Sequence, residues 1–202
     1  PFLILMSEQP TADLLDPIPY METLRRIAAG MGPQRGFQSS LNSLLSLLTE
    51  RHGFLRPHLV IFDPETRTLR LCVADGAPRS AQVVYEPGMG VTGQVFVTGK
   101  PVIVECLKGH PVFLSKFFVR TDEELSSLAF LSVPVLAPQI SWEPGREQAR
   151  KVIGVLSVDT PRASREELER HRCFLEVVAG MIAAQATYLQ DDMARQQRLA
   201  ER

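Results

Sequence analysis

The chain has almost no net charge, little cysteine and no long apolar run, and each shortage removes a class of function. Its 22 basic and 23 acidic residues nearly cancel. No overall field therefore draws it to nucleic acid or to an anionic membrane, and this segment is not expected to touch DNA directly. The three cysteines, Cys72, Cys106 and Cys173, are odd in number, widely spaced and without a C-x-x-C pair. That excludes a disulfide framework and a zinc knuckle and suits a reducing cytosol, so a cytoplasmic location is expected. The most apolar terminal run, residues 2–6, is far shorter than the roughly 20 residues of a membrane helix and lacks a basic flank or a small-residue cleavage site. It is neither signal peptide nor anchor. Met6 opens an ordinary polar start, so residues 1–5 are read as lying ahead of the natural chain.

What is present is enough for one sizeable core. A chain of 202 residues with 45% hydrophobic content supports one domain with extensions better than two small ones. Apolar residues Met21, Leu24, Ile27, Ala28 and Met31 recur at helical spacing over residues 20–31, and Leu41, Leu44, Leu45 and Leu48 form a second stripe ending at His52-Gly53. Residues 59–62, the turn Asp63-Pro64-Glu65-Thr66, and Leu69, Leu71 and Val73 alternating with Arg70, Cys72 and Ala74 predict a hairpin. Residues 128–136 and 152–158 predict two further strands, separated by a polar insertion at 138–150 that holds the only tryptophan, Trp142. Ser164 and Glu167 open a long helix whose apolar stripe runs through Leu168, Phe174, Val177, Val178, Met181, Ala184 and Tyr188. From Asp191 the helix-forming sequence loses its apolar face, as a connector to a further domain would. The expected division is an extension at 1–19, a domain at 20–190, and the start of a helical linker at 191–202.

Two glycine patterns suggest nucleotide binding, and their contexts refuse it. Gly88-Met89-Gly90-Val91-Thr92-Gly93 fits G-x-G-x-x-G, but too few residues follow for a crossover helix and the expected downstream acid is missing. These glycines instead predict a tight turn and a short helix before a strand at 102–105. In Gly99-Lys100-Pro101 the proline replaces the hydroxyl residue of a phosphate loop. Cys106 and His110 stand four residues apart, but Gly109 and Pro111 argue against a helix that would bring them together, and a metal site needs three or four converging ligands; no metal site is expected. Cys106, near Lys108 and His110, is the one candidate for a reactive thiol. Residues 107–127 differ from their surroundings, mixing Lys108, His110, Lys116 and Arg120 with Phe113, Phe117 and Phe118, then Asp122-Glu123-Glu124. Such a segment is either a pocket wall suited to a small anion or a surface lid whose phenylalanines cover the sheet.

Val60-Ile61-Phe62-Asp63-Pro64-Glu65-Thr66, Tyr85-Glu86-Pro87 with the following glycine block and Gln94-Val95, Thr98-Gly99-Lys100-Pro101-Val102 and residues 152–159 together resemble a GAF domain over residues 20–190. The wording of the terminal helix is similar to the amino-terminal GAF domain of the sigma-54-dependent nitrogen-fixation activators. The resemblance implies an α+β fold: a mostly antiparallel sheet with the first and last helices on one face and a ligand pocket beneath the 107–127 lid on the other. It also implies a regulatory role without catalysis or cofactor; the apolar seam of Met181, Ala184 and Tyr188, longer than one sheet face can cover, separately predicts a homodimer held mainly by the first and last helices. Relatives continue into a AAA+ ATPase and a helix-turn-helix domain; some respond to 2-oxoglutarate and some are restrained by an anti-activator protein. Cyclic-nucleotide-binding members carry an Asn-Lys pair before Phe-x-x-x-Asp-Glu, and only the second half stands here, at residues 118–123.

The expected effector is thus a 2-oxoglutarate-like dicarboxylate bound by Arg120, Lys116, His110, Phe113, Phe117 and Thr121. Arg120 is the favoured anchor, because its planar fork meets a carboxylate through two parallel hydrogen bonds, and its competing role is an ion pair with Asp122 or Glu124. Two other functions fit the same residues: a ligand-free dimerisation or protein-interaction module, and a methionine sulfoxide reductase of the GAF fold working through Cys106 with Cys72 as resolving partner.

Overall fold

The computed structural model describes residues 18–31, 36–76, 84–138 and 150–200, with side chains described to 186 in the last helix. The elements are α1 (Ile18–Gly30), α2 (Phe37–His52), β1 (Leu55–Asp63), β2 (Thr68–Ala74), β3 (Val84–Tyr85), α3 (Gly90–Thr98), β4 (Val102–Val104), α4 (Asp122–Ser127), β5 (Leu128–Leu136), β6 (Val152–Pro161) and α5 (Arg165–Ala200). The terminal extension, Trp142 with most of its insertion, and the side chain of Tyr188 lie outside the described residues. The insertion leaves from β5 and returns to β6 side by side, with the Ala137 amide donating to the Lys151 carbonyl at 2.8 Å.

The strands form one antiparallel sheet in the order β3-β2-β1-β6-β5-β4. Successive side chains point to opposite faces, so neighbouring residues serve different cores. Leu59, Leu131, Val133, Leu156 and Val158 face α1, α2 and α5, whereas Val60, Phe130 and Val155 face the loops on the other side. The leucines of α2 fill the helical core: Leu41 and Leu48 are fully buried, each stabilising by about 1.5–3 kcal/mol. Gly53, at φ +63°, ends α2 by returning its amide to Thr49.

Two details depart from the sequence reading. The alternation expected through β2 is broken by a bulge, where the register passes from Leu59↔Val73 to Val60↔Leu71. Cys72 and Val73 consequently both serve the helical core, while Leu69 and Leu71 face the opposite way. In α1, Met21 is 64% exposed and Thr23 is buried. The packed face runs Tyr20, Thr23, Leu24, Ile27 and Met31, leaving Met21 about a quarter-turn away. Burial of Thr23 is tolerated because its hydroxyl donates to the Pro19 carbonyl at 3.0 Å and meets His52 Nε2 at 2.9 Å.

That contact belongs to a cluster joining α1, α2, β1 and α5. Tyr20 stacks on His52 at 4.9 Å, and Phe54, His171 and Phe174 close around them. Burial holds His52 down at about 4, with His171 and Arg51 adding to the effect, and burial lowers His171 also. Across the sheet, burial keeps His58 at about 4. A histidine whose folded pKa lies below its unfolded value near 6.5 is protonated more readily in the unfolded chain. Its stabilisation is therefore complete above about pH 6.5 and is lost as pH falls toward 4. For the fully enclosed His58 the loss amounts to about 3 kcal/mol. Urea unfolding followed across pH should show a flat midpoint near neutrality and a decline between pH 6.5 and 4. His58→Gln should flatten part of that decline. Carboxylates such as Glu22, held at about 2 by Arg25 and Arg26, keep their contribution above about pH 4.5 and lose it only as pH falls from there toward 2.

Candidate functional site

The face opposite the helices is covered by the segment 105–121 between β4 and α4, here called the lid. Its Leu107, Phe117 and Phe118 are buried, and Val112 and Phe113 pack against them on Val60, Phe130 and Val155 of the sheet. The lid ends in α4, which the sequence reading missed although its signal was present. Thr121 and Glu124 form a capping box: the Glu124 amide donates to Thr121 Oγ1 at 3.2 Å, and the Thr121 amide donates to Glu124 Oε2 at 2.8 Å. The Lys108 amide, donating to the Leu125 carbonyl at 2.8 Å, pins the start of the lid to this helix.

Beside the lid, the glycine block builds the entry to α3. Gly88 has φ +86°, and a Cβ on Gly93 would stand 2.6 Å from the Glu86 carbonyl oxygen. The amides of Gly88, Met89 and Gly93 are spent on the carbonyls of Gly93, Glu86 and Met89. Amides so engaged are not free to cradle a phosphate.

Between lid and sheet lies a small cavity lined by His58, Tyr85, Phe113, Leu114, Lys116, Phe117, Phe118, Arg120 and Phe130. Its water-accessible space is ≈ 10 Å³, room for about one water molecule. Four of the expected site residues, Arg120, Lys116, Phe113 and Phe117, meet here. His110 and Thr121 are not among the lining residues: Thr121 is committed to its helix cap, and the buried Nδ1 of His110 has no hydrogen-bond partner. His58, Tyr85, Phe118, Phe130 and Leu114 line the cavity without having been in the expected set. For His58 the signal was its place two and four residues before Val60 and Phe62, on the same face of β1.

The charges around the cavity are arranged differently from expectation. Arg120, whose side chain is 3% exposed, sets its fork on fully buried Asp159 of β6, with Nε donating to Oδ2 at 2.8 Å and Nη2 to Oδ1 at 2.9 Å. Neither Asp122 nor Glu124 is its partner. Its Nη1 donates to Ser115 Oγ at 2.7 Å, and the guanidinium lies 5.2 Å from the Phe113 ring centre and 5.8 Å from that of Phe118. Arg56 also donates to Asp159 Oδ2, at 3.0 Å, and is paired with Glu124. Arg56 reaches these carboxylates from a bulge in β1, where its backbone is left-handed at φ +51°. His58 Nδ1 donates to the Arg56 carbonyl at 2.9 Å, so the neutral ring keeps its lone pair on Nε2. Lys116 has no carboxylate partner among the described residues. Its Nζ lies 3.2 Å from the Val84 carbonyl, 2.8 Å from Met89 Sδ and 5.2 Å from the Tyr85 ring centre. Tyr85 donates its hydroxyl to the Leu114 carbonyl at 3.0 Å, and burial pushes its pKa up to about 12.

The thiols lie elsewhere. Cys72 packs toward the helical core, where burial raises its pKa; Cys106 Sγ is 3.9 Å from the Leu125 carbonyl; and Cys173 is exposed on α5. None of them lines the cavity. Among the described residues, no three of His, Cys, Asp and Glu gather as a metal site would require, and no helix is long and apolar enough to cross a membrane.

Residues 22–186 match the GAF domain family. Nif-specific regulatory protein of Azospirillum brasilense is 27% identical over 186 residues, which are 89% of this chain and 27% of that protein. Nitrogen fixation protein VnfA of Azotobacter vinelandii is 28% identical over 148 residues, 71% of this chain and 26% of that protein. The chain thus spans about a quarter of the length of the curated relatives it matches. Among solved structures, the A. aeolicus nlh2 GAF domain in an inactive state superposes with a TM-score of 0.69 at 20% identity, covering 85% of this chain and 97% of that one. The free methionine-R-sulfoxide reductase of Neisseria meningitidis superposes at 0.62 and 20% identity, covering 82% of this chain and 87% of that one. These likenesses establish the shared fold.

The buried fork of Arg120 sets an expectation for the unliganded domain. Arg120→Ala leaves Asp159 enclosed with Arg56 as its remaining cation, and should cost about 2–4 kcal/mol in denaturant unfolding without any ligand. An unchanged unfolding midpoint would mean that the pair contributes nothing to the fold.

Proposed function

We propose, because the chain belongs to the GAF domain family, that it is the signal-receiving domain of a transcriptional activator of nitrogen fixation, regulating an attached output domain through α5. Curated relatives that carry names of this kind support the biological setting. The observation that carries the effector reading is Lys116: a half-buried ammonium group at a lidded, aromatic-walled cavity, with a carbonyl, a thioether and a ring as its described partners. An ammonium group partly withdrawn from water without a counter-ion is a place for an anion. A small dicarboxylate such as 2-oxoglutarate supplies two carboxylates of the right size, one for Lys116 and one within reach of Arg120. Since the space in this structure holds about one water, binding requires the lid to rise.

The lid joins β6 through Arg120 and Asp159, and β6 leads directly into α5. Lid position is in this way tied to the helix that leaves the domain. A coupling of about 1–3 kcal/mol along such a route changes an output several-fold. In an activator of the sigma-54-dependent class that output is a AAA+ ATPase, and an anti-activator protein is a second source of restraint. The absence of a thiol from the cavity lining favours this regulatory reading over sulfoxide reduction.

Calorimetric titration of the chain with 2-oxoglutarate should give measurable heat, and Lys116→Ala should weaken binding by about 1.5–3 kcal/mol, the worth of a charge-assisted hydrogen bond. No heat and no thermal shift at millimolar ligand would remove the dicarboxylate and leave the interaction module as the better reading.

A specific observation also supports a dimer. On α5, Cys173, Val177, Gly180 and Ala184 are exposed at alternating spacings of four and three, which place them on one stripe. Val177 is 51% exposed, and Gly180 leaves open space where a neighbouring helix can approach. Met181, by contrast, packs partly against the helical core and is not on this stripe. Sedimentation should show a homodimer at tens of micromolar, and Val177→Glu should shift it to monomer. A wild-type monomer under those conditions would remove the stripe as an interface.

A further inference from the structure

We propose that Asp159 is a built-in stand-in for the carboxylate of the effector: in the ligand-free domain it occupies the fork of Arg120, and an incoming carboxylate exchanges with it. The inference rests on reading the cavity as an effector pocket and adds how that pocket is regulated.

Arg120 already makes the contact that a ligand would need. Its Nε and Nη2 donate in parallel to the two oxygens of one carboxylate, between the rings of Phe113 and Phe118 and at the edge of the cavity. What differs is that the carboxylate comes from β6. The lid cannot rise by the thickness of a ligand while Arg120 stays on Asp159, because the fork ties the two elements together at 2.8 and 2.9 Å. Opening the pocket and vacating the fork are therefore one movement.

A buried carboxylate stripped of its only cation would oppose that movement strongly. Here it is not stripped, since Asp159 Oδ2 also accepts from Arg56 at 3.0 Å. Arg56 is placed for this independently of Arg120: its left-handed backbone sits in the β1 bulge, its carbonyl is gripped by His58 and its guanidinium is shared with Glu124. The exchange consequently moves one arginine between two carboxylates while the other arginine keeps Asp159 compensated. The charge balance favours an arriving anion as well, since Arg56 and Arg120 are answered by Asp159 and Glu124, whereas Lys116 at the same cavity has no carboxylate partner among the described residues. The released carboxylate lies near the end of β6, six residues before α5 begins, so the exchange is felt where the exit helix is rooted.

The test compares the 202-residue chain with its Asp159→Asn, Glu124→Gln and Arg120→Lys variants, by amide hydrogen exchange without ligand and by calorimetry with 2-oxoglutarate and with succinate. Asp159→Asn weakens the grip on the fork while keeping the side chain's shape. Lid amides at 107–121 should exchange about tenfold faster than in the wild type, and dicarboxylate binding should tighten by about tenfold. Glu124→Gln removes a carboxylate beside Arg56 but leaves the Arg120 fork intact, so it should loosen the lid less than Asp159→Asn does; equal loosening would trace the effect to lost charge and overturn the exchange. If Asp159→Asn leaves the lid as protected as before, or binds dicarboxylate no more tightly than a wild type that does bind, the exchange is overturned. If no variant binds either dicarboxylate but the lid of Asp159→Asn is loosened, the dicarboxylate reading fails while Asp159 stands as the latch. Should Asp159→Asn not fold, as judged by circular dichroism, Arg120→Lys gives the same lid readout, since lysine keeps the charge and loses the fork. Faster lid exchange in it supports the proposal, and unchanged exchange overturns it.

Discussion

A carboxylate with no access to solvent sits near the end of a central strand, and much of the molecule is arranged around keeping it there. Asp159 follows the apolar run of β6 and cannot remain charged in that position without cations and hydrogen bonds. One cation arrives along the lid as Arg120, the other from the neighbouring strand as Arg56. To deliver Arg56, β1 takes on an extra residue and a backbone conformation that ordinarily belongs to glycine, a strain worth about 1–3 kcal/mol when unsupported. Glu124, fixed by its capping box with Thr121, holds the far side of Arg56. The lid's path, the β1 bulge and the start of α4 thus answer one electrostatic demand.

The sheet separates two tasks while serving as a common wall. Adjacent residues such as Val155 and Leu156 contribute to opposite cores, so a displacement of β6 is felt on both sides. The helical side is apolar and aromatic, closed by the Tyr20, His52, Phe54, His171 and Phe174 cluster. The lid side mixes phenylalanines with arginines, a lysine and a histidine kept neutral by burial. At the wall itself the paired hydroxyls of Ser132 and Ser157, 2.9 Å apart, satisfy each other between β5 and β6 and require no partner from the lid.

The fold was largely legible in the sequence because its signals are local and periodic. The leucine stripe of α2, the turn at Asp63, the runs that became β5 and β6 and the glycine block before α3 each state their structure within a few residues. Where the reading slipped, a neighbour in space decided. Met21 lost its place in the core to Thr23 because His52, far along the chain, supplies a partner for the threonine hydroxyl. Val73 changed faces because β2 carries one residue more than its partner strand. The candidate site was legible by segment and not by pairing. Residues 107–127 do carry the lid, and Lys116, Arg120, Phe113 and Phe117 meet at the cavity, but the partner of Arg120 comes from another strand 39 positions away. A charged residue closing an otherwise apolar strand was the one clue to Asp159, and nothing local says which cation will answer it.

The length of α5 has a mechanical meaning. Thirty-six helical residues make a rod about 54 Å long, whereas the ten residues of β6 run about 33 Å. The rod is therefore about 20 Å longer than the strand that leads into it. A tilt of about 5° at its root would carry the far end sideways by about 5 Å, close to the one-turn step by which one element ratchets past another. Small rearrangements beside Asp159 are in this way geometrically magnified with distance, and the same stiffness that makes the helix a faithful pointer lets it carry that motion without bending it away.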